Sequence, residues 1–185
     1  MARTPSVMTP LGSEAPPFTL PDVVKGVNSS LEELKGNDAT IIAFICNHCP
    51  FVKHVNQQLI ELALDYKDKG VSFIAISAND VNQYPDDGPD DMRNVATSLG
   101  YPFPYLYDEK QDVAKAYQAA CTPDFFIYNK NLALAYRGQL DSSRPGNDIP
   151  VTGADMRNAL DCLIAGKDVS ADQKPSIGCN IKWKE

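Results

Sequence analysis

Residues 41–50 read IIAFICNHCP, an apolar run followed by two cysteines that are separated by two residues. The continuous apolar run Ile41–Ile45 predicts a strand that is buried on both faces. The segment from Phe51 to about Lys69 is helix-like, so Cys46 and Cys49 stand where a strand leads into a helix. A Cys-x-x-Cys pair in this context is typical of a dithiol redox site.

A helix start at this point changes the chemistry of the two thiols. Unpaired backbone N–H groups and the positive end of the helix dipole both favour thiolate, which is the form that attacks disulfides. Cys49 follows Cys46 by one helical turn and can close an intramolecular disulfide with it. His48 can add positive charge beside the pair. We therefore expect Cys46, Cys49 and His48 to carry the chemistry.

Size and composition predict one domain over residues 1–185. Hydrophobic residues make up 43% of the 185-residue chain and charged residues 22%, which is ordinary for a soluble globular protein. The net charge of −7 disfavours nucleic acid and anionic membranes as partners. No apolar run approaches the roughly 20 residues that span a bilayer, and Met1–Gly12 lacks the apolar core of a signal peptide. We expect a cytoplasmic protein, either a monomer or a weak homo-oligomer, with no membrane partner.

Strand-like and helix-like segments alternate in the order β–α–β–α–β–α–β–β–α. This order favours an α/β fold with crossover helices and a closing antiparallel hairpin. The predicted core spans about residues 12–166 and precedes a polar tail, 167–185. Asn79–Asp91 is rich in aspartate and proline and predicts a loop. Its part Asp86–Asp91 lacks the ligand spacing of a calcium loop and is expected to be a solvated loop with a helix N-cap. No phosphate-binding glycine loop is present, so we expect no bound cofactor.

The chain resembles the redoxin branch of the thioredoxin-like superfamily, which includes the alkyl hydroperoxide reductase/thiol-specific antioxidant proteins and related thiol–disulfide oxidoreductases. The resemblance rests on Cys46-x-x-Cys49-Pro50 and on Thr122-Pro123, which lies just before the predicted strand Phe125–Tyr128. An N-terminal extension around Ala15–Leu20 and an insertion at 79–120 are similar to those of redoxins. The resemblance implies a thioredoxin-like fold, with a central mixed sheet flanked by helices, and a thiol–disulfide oxidoreductase.

The resemblance also implies roles for individual residues. Cys46 would be the exposed nucleophile, and Cys49 the more buried resolving thiol. Pro123 would be cis, and Thr122 and Pro123 would shape the groove in which the backbone of a partner docks. The implied partners are disulfides or thiols of proteins or small molecules, together with an external reducing system.

Four positions distinguish this chain from two better-known branches of the superfamily. Ile45 and Thr40 stand where thioredoxins carry an aromatic residue and a buried acid. Ala43 stands where peroxiredoxins carry Thr or Ser, so thiol peroxidase is a less favoured function. His48 replaces the proline of thioredoxins, as in disulfide isomerases and oxidases. An imidazole that stabilises thiolate makes the disulfide more oxidising, so we expect a reduction potential less negative than the roughly −270 mV of thioredoxin.

A metal-binding protein or metallochaperone is the alternative interpretation of the same motif. Cys46, His48 and Cys49 are thiol and imidazole ligands that suit zinc or copper(I), and His54 follows within nine positions of Cys46. Tight stoichiometric metal that is lost in a Cys46→Ser variant would favour this class over the redox enzyme.

Three further cysteines lie outside the motif. Cys121 precedes Thr122 and is either an auxiliary redox thiol or a packed small residue. Cys179 lies in the polar tail and is either an auxiliary redox thiol, if the tail folds back, or a merely exposed or locally packed cysteine. Cys162 is flanked by apolar residues and is expected in the core.

Overall fold

The computed structural model describes residues 3–184, which hold ten strands and five α-helices. The strands are β1 (Arg3–Pro5), β2 (Thr19–Asp22), β3 (Val27–Ser30), β4 (Ala39–Phe44), β5 (Val71–Ser77), β6 (Tyr105–Tyr107), β7 (Cys121–Thr122), β8 (Asp124–Asn129), β9 (Leu134–Gly138) and β10 (Ile177–Asn180). The helices are α1 (Leu31–Leu34), α2 (Pro50–Tyr66), α3 (Pro89–Leu99), α4 (Asp112–Ala116) and α5 (Ala154–Ile164).

The main sheet of the described chain has seven strands in the order β3-β2-β6-β5-β4-β8-β9. Strand β4 pairs in parallel with β5, and β5 pairs in parallel with β6. The remaining pairs, including β4 with β8, are antiparallel. The predicted α/β architecture with a central mixed sheet is therefore confirmed.

Helices cover both faces of this sheet, which explains the continuous apolar run in β4. Side chains alternate between the two faces of a strand. Ile41 and Ala43 pack in the core that includes α2, α3 and α5, whereas Ile42 and Phe44 pack in the core that includes α1 and α4. All six residues of β4 are buried as a result.

Helix α2 begins directly after the second cysteine. Cys49 is the N-cap, and Pro50 occupies the first turn, where a missing backbone N–H costs little. Val52, Leu59 and Leu62 lie on the buried face of the helix and anchor it against the sheet. Within residues 3–184, no helix has both the length and the apolar character that a bilayer crossing requires.

A second, smaller sheet joins distant parts of the chain in the order β1-β10-β7. It places Cys179 of β10 opposite Thr122 of β7. A Cβ atom on Gly178 would lie 2.0 Å from the carbonyl oxygen of Thr122, so the close approach of the two strands requires glycine here. The boundary drawn near residue 166 therefore does not mark the end of the packed structure.

The segment expected to be a loop, Asn79–Asp91, is largely structured. A 3₁₀ turn covers Pro85–Asp87, and α3 begins at Pro89, with Gly88 as its N-cap. Asp87 is fully buried, at 0% exposure. The prediction is wrong here because proline suits the first turn of a helix and because the carboxylate of Asp87 has partners elsewhere in the chain.

Candidate active site

Both cysteines of the Cys-x-x-Cys motif are buried. Cys46 is 1% exposed and Cys49 is 0% exposed. The expectation that Cys46 is exposed is therefore wrong for this structure. Its sulfur lies 3.3 Å from Oγ1 of Thr122 and 3.9 Å from Nδ1 of His48, and these side chains lie against it. A partner can reach Cys46 only after a neighbouring side chain moves.

Cys49 contacts two groups on the side of the site away from α2. Its thiol donates a hydrogen bond to the carbonyl oxygen of Thr122 at 3.1 Å. Its Sγ atom also lies 3.0 Å from Sγ of Cys179, another buried cysteine. Cys49 therefore has sulfur neighbours on both sides, because it also hydrogen bonds to Cys46.

The hydrogen bond between Cys46 and Cys49 separates their pKa values. That bond, as the largest cause, together with contacts to Cys179 and Thr122, lowers the pKa of Cys49, although burial opposes the shift. The same bond, burial and the charge of Asp87 raise the pKa of Cys46 well above its usual value. The two thiols therefore titrate as a pair that loses one proton readily and retains the second.

The loop between the two cysteines is held by one carboxylate. Oδ1 of Asp87 accepts hydrogen bonds from the backbone N–H groups of Asn47, at 2.7 Å, and His48, at 3.2 Å. Oδ2 of Asp87 lies 2.6 Å from Nδ1 of His48 and accepts a bond from the amide of Asn79 at 2.8 Å. The imidazole also stacks on Tyr84, with ring centroids 4.8 Å apart. A carboxylate acceptor at this distance fixes the hydrogen of the imidazole on Nδ1.

Sequence reasoning missed Asp87. It is 39 positions from His48, and its neighbours Asp86, Asp90 and Asp91 gave the segment the composition of a solvated loop. The position where thioredoxins carry a buried acid is Thr40, whose Oγ1 accepts a hydrogen bond from the N–H of Gly36 at 3.0 Å. The buried carboxylate beside this dithiol therefore comes from a different part of the chain.

Thr122 and Pro123 face the dithiol, as the contacts of Thr122 with both cysteines show. The peptide bond between them is cis. The carbonyl oxygen of Pro123 accepts a 2.7 Å hydrogen bond from the hydroxyl of Ser176. A cavity of about 20 Å³, enough for about one water molecule, lies beside Pro123, with walls that include Phe51 and Ile177.

The other two cysteines differ in their surroundings. Cys121 is fully buried, and its thiol donates to the carbonyl oxygen of Pro123 at 3.5 Å. Burial raises the pKa of Cys121 well above the usual thiol value. Cys162 on α5 is only partly buried and lines a surface cavity with Asp155 and Lys174. Its assignment to the core is wrong, because, of its apolar neighbours, only Leu160 is buried, whereas Leu163 is half-buried and Ile164 exposed.

One compact group of potential metal ligands lies within residues 3–184. It consists of Cys46, His48 and Asp87, with ligand atoms within 4.8 Å of one another. The third potential metal ligand is therefore Asp87, whereas the sequence suggested Cys49. His54, the other histidine, lies apart from this group and bonds through Nε2 to Oγ of Ser143 at 2.8 Å.

Comparisons with known proteins find relatives in sequence and in structure. The thiol-disulfide oxidoreductase ResA from Bacillus thuringiensis is 28% identical over 121 residues, which cover 65% of each protein and thus slightly less than two thirds of ResA. An uncharacterized conserved protein from Geobacillus kaustophilus is 61% identical in its crystal structure, with a TM-score of 0.98 over 100% of this chain and 97% of that one.

A more distant structure shows the fold that these proteins share. The thioredoxin domain of a thiol-disulfide oxidoreductase from Bacteroides vulgatus superposes with a TM-score of 0.61 at 20% identity, over 80% of this chain and 96% of that domain. The predicted thioredoxin-like fold is therefore confirmed. Residues 11–137 match the AhpC/TSA family, and because they form more than half of the chain, this protein belongs to that family, within the redoxin branch that its motifs predicted.

Proposed function

We propose that this protein is a thiol–disulfide oxidoreductase that uses the dithiol of Cys46 and Cys49. The observation that carries the proposal is the position of the two sulfur atoms. They lie at the N-terminus of α2, and both contact Thr122, next to Pro123. Loss of one proton from the two thiols leaves the thiolate that disulfide exchange requires.

The first step is attack by the sulfur of Cys46 on a partner disulfide, after the proton of Cys46 has passed to the Cys49 thiolate. Cys49 is enclosed by the carbonyl of Thr122 and by Cys179, so Cys46 is the sulfur that a partner reaches first. One sulfur–sulfur bond of the partner breaks, and a mixed disulfide with Cys46 forms. The departing partner thiolate takes the proton that the dithiol lost. The partner's backbone would lie against Thr122 and Pro123, as the resemblance to thioredoxin-like proteins implies.

The second step releases the partner. The thiol of Cys49 attacks the sulfur of Cys46, which breaks the mixed disulfide and forms the Cys46–Cys49 disulfide. The proton of Cys49 leaves with the second partner thiol. The partner has then gained two electrons and the protein has lost two. An external thiol system in the cytosol returns the protein to the dithiol state.

The experiment is a redox titration in glutathione buffers, with mass-spectrometric mapping of the thiols. We expect a reversible Cys46–Cys49 disulfide in the wild type. The Cys49→Ser variant should accumulate a mixed disulfide between Cys46 and glutathione, because the resolving thiol is gone. Cys162→Ser is the matched control and should behave as wild type, since Cys162 lies on α5, outside the site.

Two results would contradict the proposal. One is the absence of a Cys46–Cys49 bond across a wide range of potentials. The other is rapid, stoichiometric reduction of hydrogen peroxide, which would indicate a thiol peroxidase. We expect slow peroxide consumption, because Ala43 lacks the hydroxyl that peroxiredoxins place before their reactive cysteine.

Metal binding is the second candidate, and the compact group of Cys46, His48 and Asp87 is the observation in its favour. Thiolate, imidazole and carboxylate together suit zinc. Against it, the oxygens of Asp87 already accept four hydrogen bonds within the chain. Metal analysis of the purified protein tests this candidate. Stoichiometric zinc that is lost in both Cys46→Ser and Asp87→Asn would support it.

A further inference from the structure

We propose that Cys179 is a third redox thiol, which exchanges with the Cys46–Cys49 disulfide to form a Cys49–Cys179 disulfide and to release Cys46. This inference rests on the proposed function, because it requires that the Cys46–Cys49 disulfide forms. It adds a second oxidised state in which the attacking cysteine is again a thiol.

The distance between Cys49 and Cys179 carries the inference. Their Sγ atoms are 3.0 Å apart, in a region where both residues are at most 1% exposed. Formation of a disulfide of about 2.05 Å requires that the two sulfurs approach by only about 1 Å. Both sulfurs are buried, so this approach does not require either of them to reach solvent.

The backbone around Cys179 is built for this approach. Strand β10 is held between β1 and β7, which sets Cys179 opposite Thr122. Gly178 lets β10 come so close to the carbonyl of Thr122 that any side chain there would clash with it. The hydroxyl of Ser176 anchors the same segment to the carbonyl of Pro123. The contact between Cys179 and Cys49 is therefore fixed by strand pairing and steric fit.

Cys121 does not meet these conditions, although it is also buried near the site. It pairs across the small sheet with Asn180, and its thiol is directed to the carbonyl of Pro123. The three thiols of Cys46, Cys49 and Cys179 also do not form one compact ligand group within residues 3–184. Cys49 is the sulfur shared by the other two, and this arrangement suits exchange better than metal binding.

The exchange step balances without an outside reactant. The sulfur of Cys179 attacks Sγ of Cys49, the Cys46–Cys49 bond breaks, and the Cys49–Cys179 bond forms. The proton of the Cys179 thiol passes to the sulfur of Cys46, so neither electrons nor protons are gained or lost. Burial, as the largest cause, raises the pKa of Cys179 to about 12, so this thiol keeps its proton until the exchange occurs.

The test uses the full chain with Cys46→Ser, oxidised with diamide, digested with trypsin and mapped without reduction. Cys49 lies in the tryptic peptide of residues 36–53, and Cys179 in that of residues 168–182. We expect the variant to lose two free thiols and to yield these peptides joined by a disulfide. Cys46→Ser/Cys179→Ser should show no such product, and Cys46→Ser/Cys121→Ser should still form it.

The wild type supplies a second measurement that does not depend on a variant. Partial oxidation should give both the disulfide within peptide 36–53 and the product that joins 36–53 to 168–182. The inference is overturned if Cys46→Ser folds but keeps Cys49 and Cys179 as alkylatable thiols. It is equally overturned if the oxidised wild type contains only the Cys46–Cys49 bond. Failure of the wild type to form that bond at all would instead overturn the proposed function.

Discussion

Oδ2 of Asp87 lies 2.6 Å from Nδ1 of His48, and the other oxygen of the same carboxylate holds the backbone of the Cys-x-x-Cys loop. One side chain, 39 positions from the motif, thus fixes both the imidazole and the main chain between the two cysteines. Because a buried carboxylate is tolerated only when it is hydrogen-bonded, the pair is a structural requirement as well as an electrostatic one.

Asp87→Asn should weaken this attachment. The amide keeps one acceptor but places N–H groups against those of Asn79, so we expect a loss of about 1–3 kcal/mol in the free energy of unfolding. The charge of Asp87 also raises the pKa of Cys46, so alkylation of the dithiol should become faster. Urea unfolding and iodoacetamide kinetics measure the two effects. Asp86→Asn, on an exposed neighbour, should change stability by less than about 0.5 kcal/mol; equal losses in both variants would contradict the role of Asp87.

The imidazole of His48 should make the disulfide more oxidising than that of thioredoxin. It lies 3.9 Å from Sγ of Cys46, close enough to stabilise a thiolate. We expect a wild-type potential less negative than about −270 mV, and a His48→Ala potential that is more negative by about 30 mV, a tenfold change in the equilibrium. His54→Ala should leave the potential unchanged. A wild-type value at or below that of thioredoxin would refute the prediction.

The hydroxyl of Thr122 should lower the pKa of Cys46. Its Oγ1 is 3.3 Å from Sγ of Cys46 and can donate to the thiolate. Thr122→Val keeps the shape of the side chain but removes the donor, so alkylation at neutral pH should slow by up to about tenfold, or one pKa unit. Thr122→Ser retains the hydroxyl and should react at nearly the wild-type rate. Equal alkylation rates in the Thr122→Val and Thr122→Ser variants would show that the hydroxyl does not lower the pKa of Cys46.

Asp124 should make stability depend on pH. Burial raises its pKa to about 7, and no hydrogen-bond partner in the described chain reaches its Oδ1 atom. Because the folded pKa exceeds the unfolded value of about 4, this group's stabilisation is present below pH 4 and is lost as pH rises through 7. Asp124→Asn cannot ionise, so its stability relative to wild type should rise by up to about 4 kcal/mol over that window.

Urea unfolding of both proteins at several pH values, with a reductant present, checks the prediction for Asp124. Only the difference between the two proteins matters, because other titrating groups contribute equally to each. Asp172→Asn, an exposed control, should parallel the wild type at every pH. A constant difference between wild type and Asp124→Asn would show that Asp124 does not titrate in this range.

The sequence predicts the parts of the fold that depend on local patterns of apolar and polar residues. The apolar run before Cys46 gives a strand buried on both faces because every residue of β4 packs in a core. The strand-to-helix junction then places Cys49 at the N-cap of α2. Thr122-Pro123 was placed at the site by resemblance, and its contacts with both cysteines are those expected of that position.

The parts that sequence missed depend on pairing over long distances. Strand β10 has four residues, Ile-Gly-Cys-Asn, with little strand propensity, and it exists because β1 and β7 bond to both of its edges. No feature of the local sequence distinguishes Asp87, which is buried, from the exposed aspartates beside it. The polar composition of residues 79–91 and 167–185 therefore suggested a loop and a tail. In the structure, tertiary contacts make residues of both segments part of the site.

The position of β10 also orders events during synthesis. Cys179 is translated 130 residues after Cys49, and at about 5–20 residues per second this takes roughly 7–26 s. During that time the nascent chain carries Cys46 and Cys49 without the strand that places Cys179 against them. Enclosure of the site therefore follows synthesis of the dithiol by at least this interval.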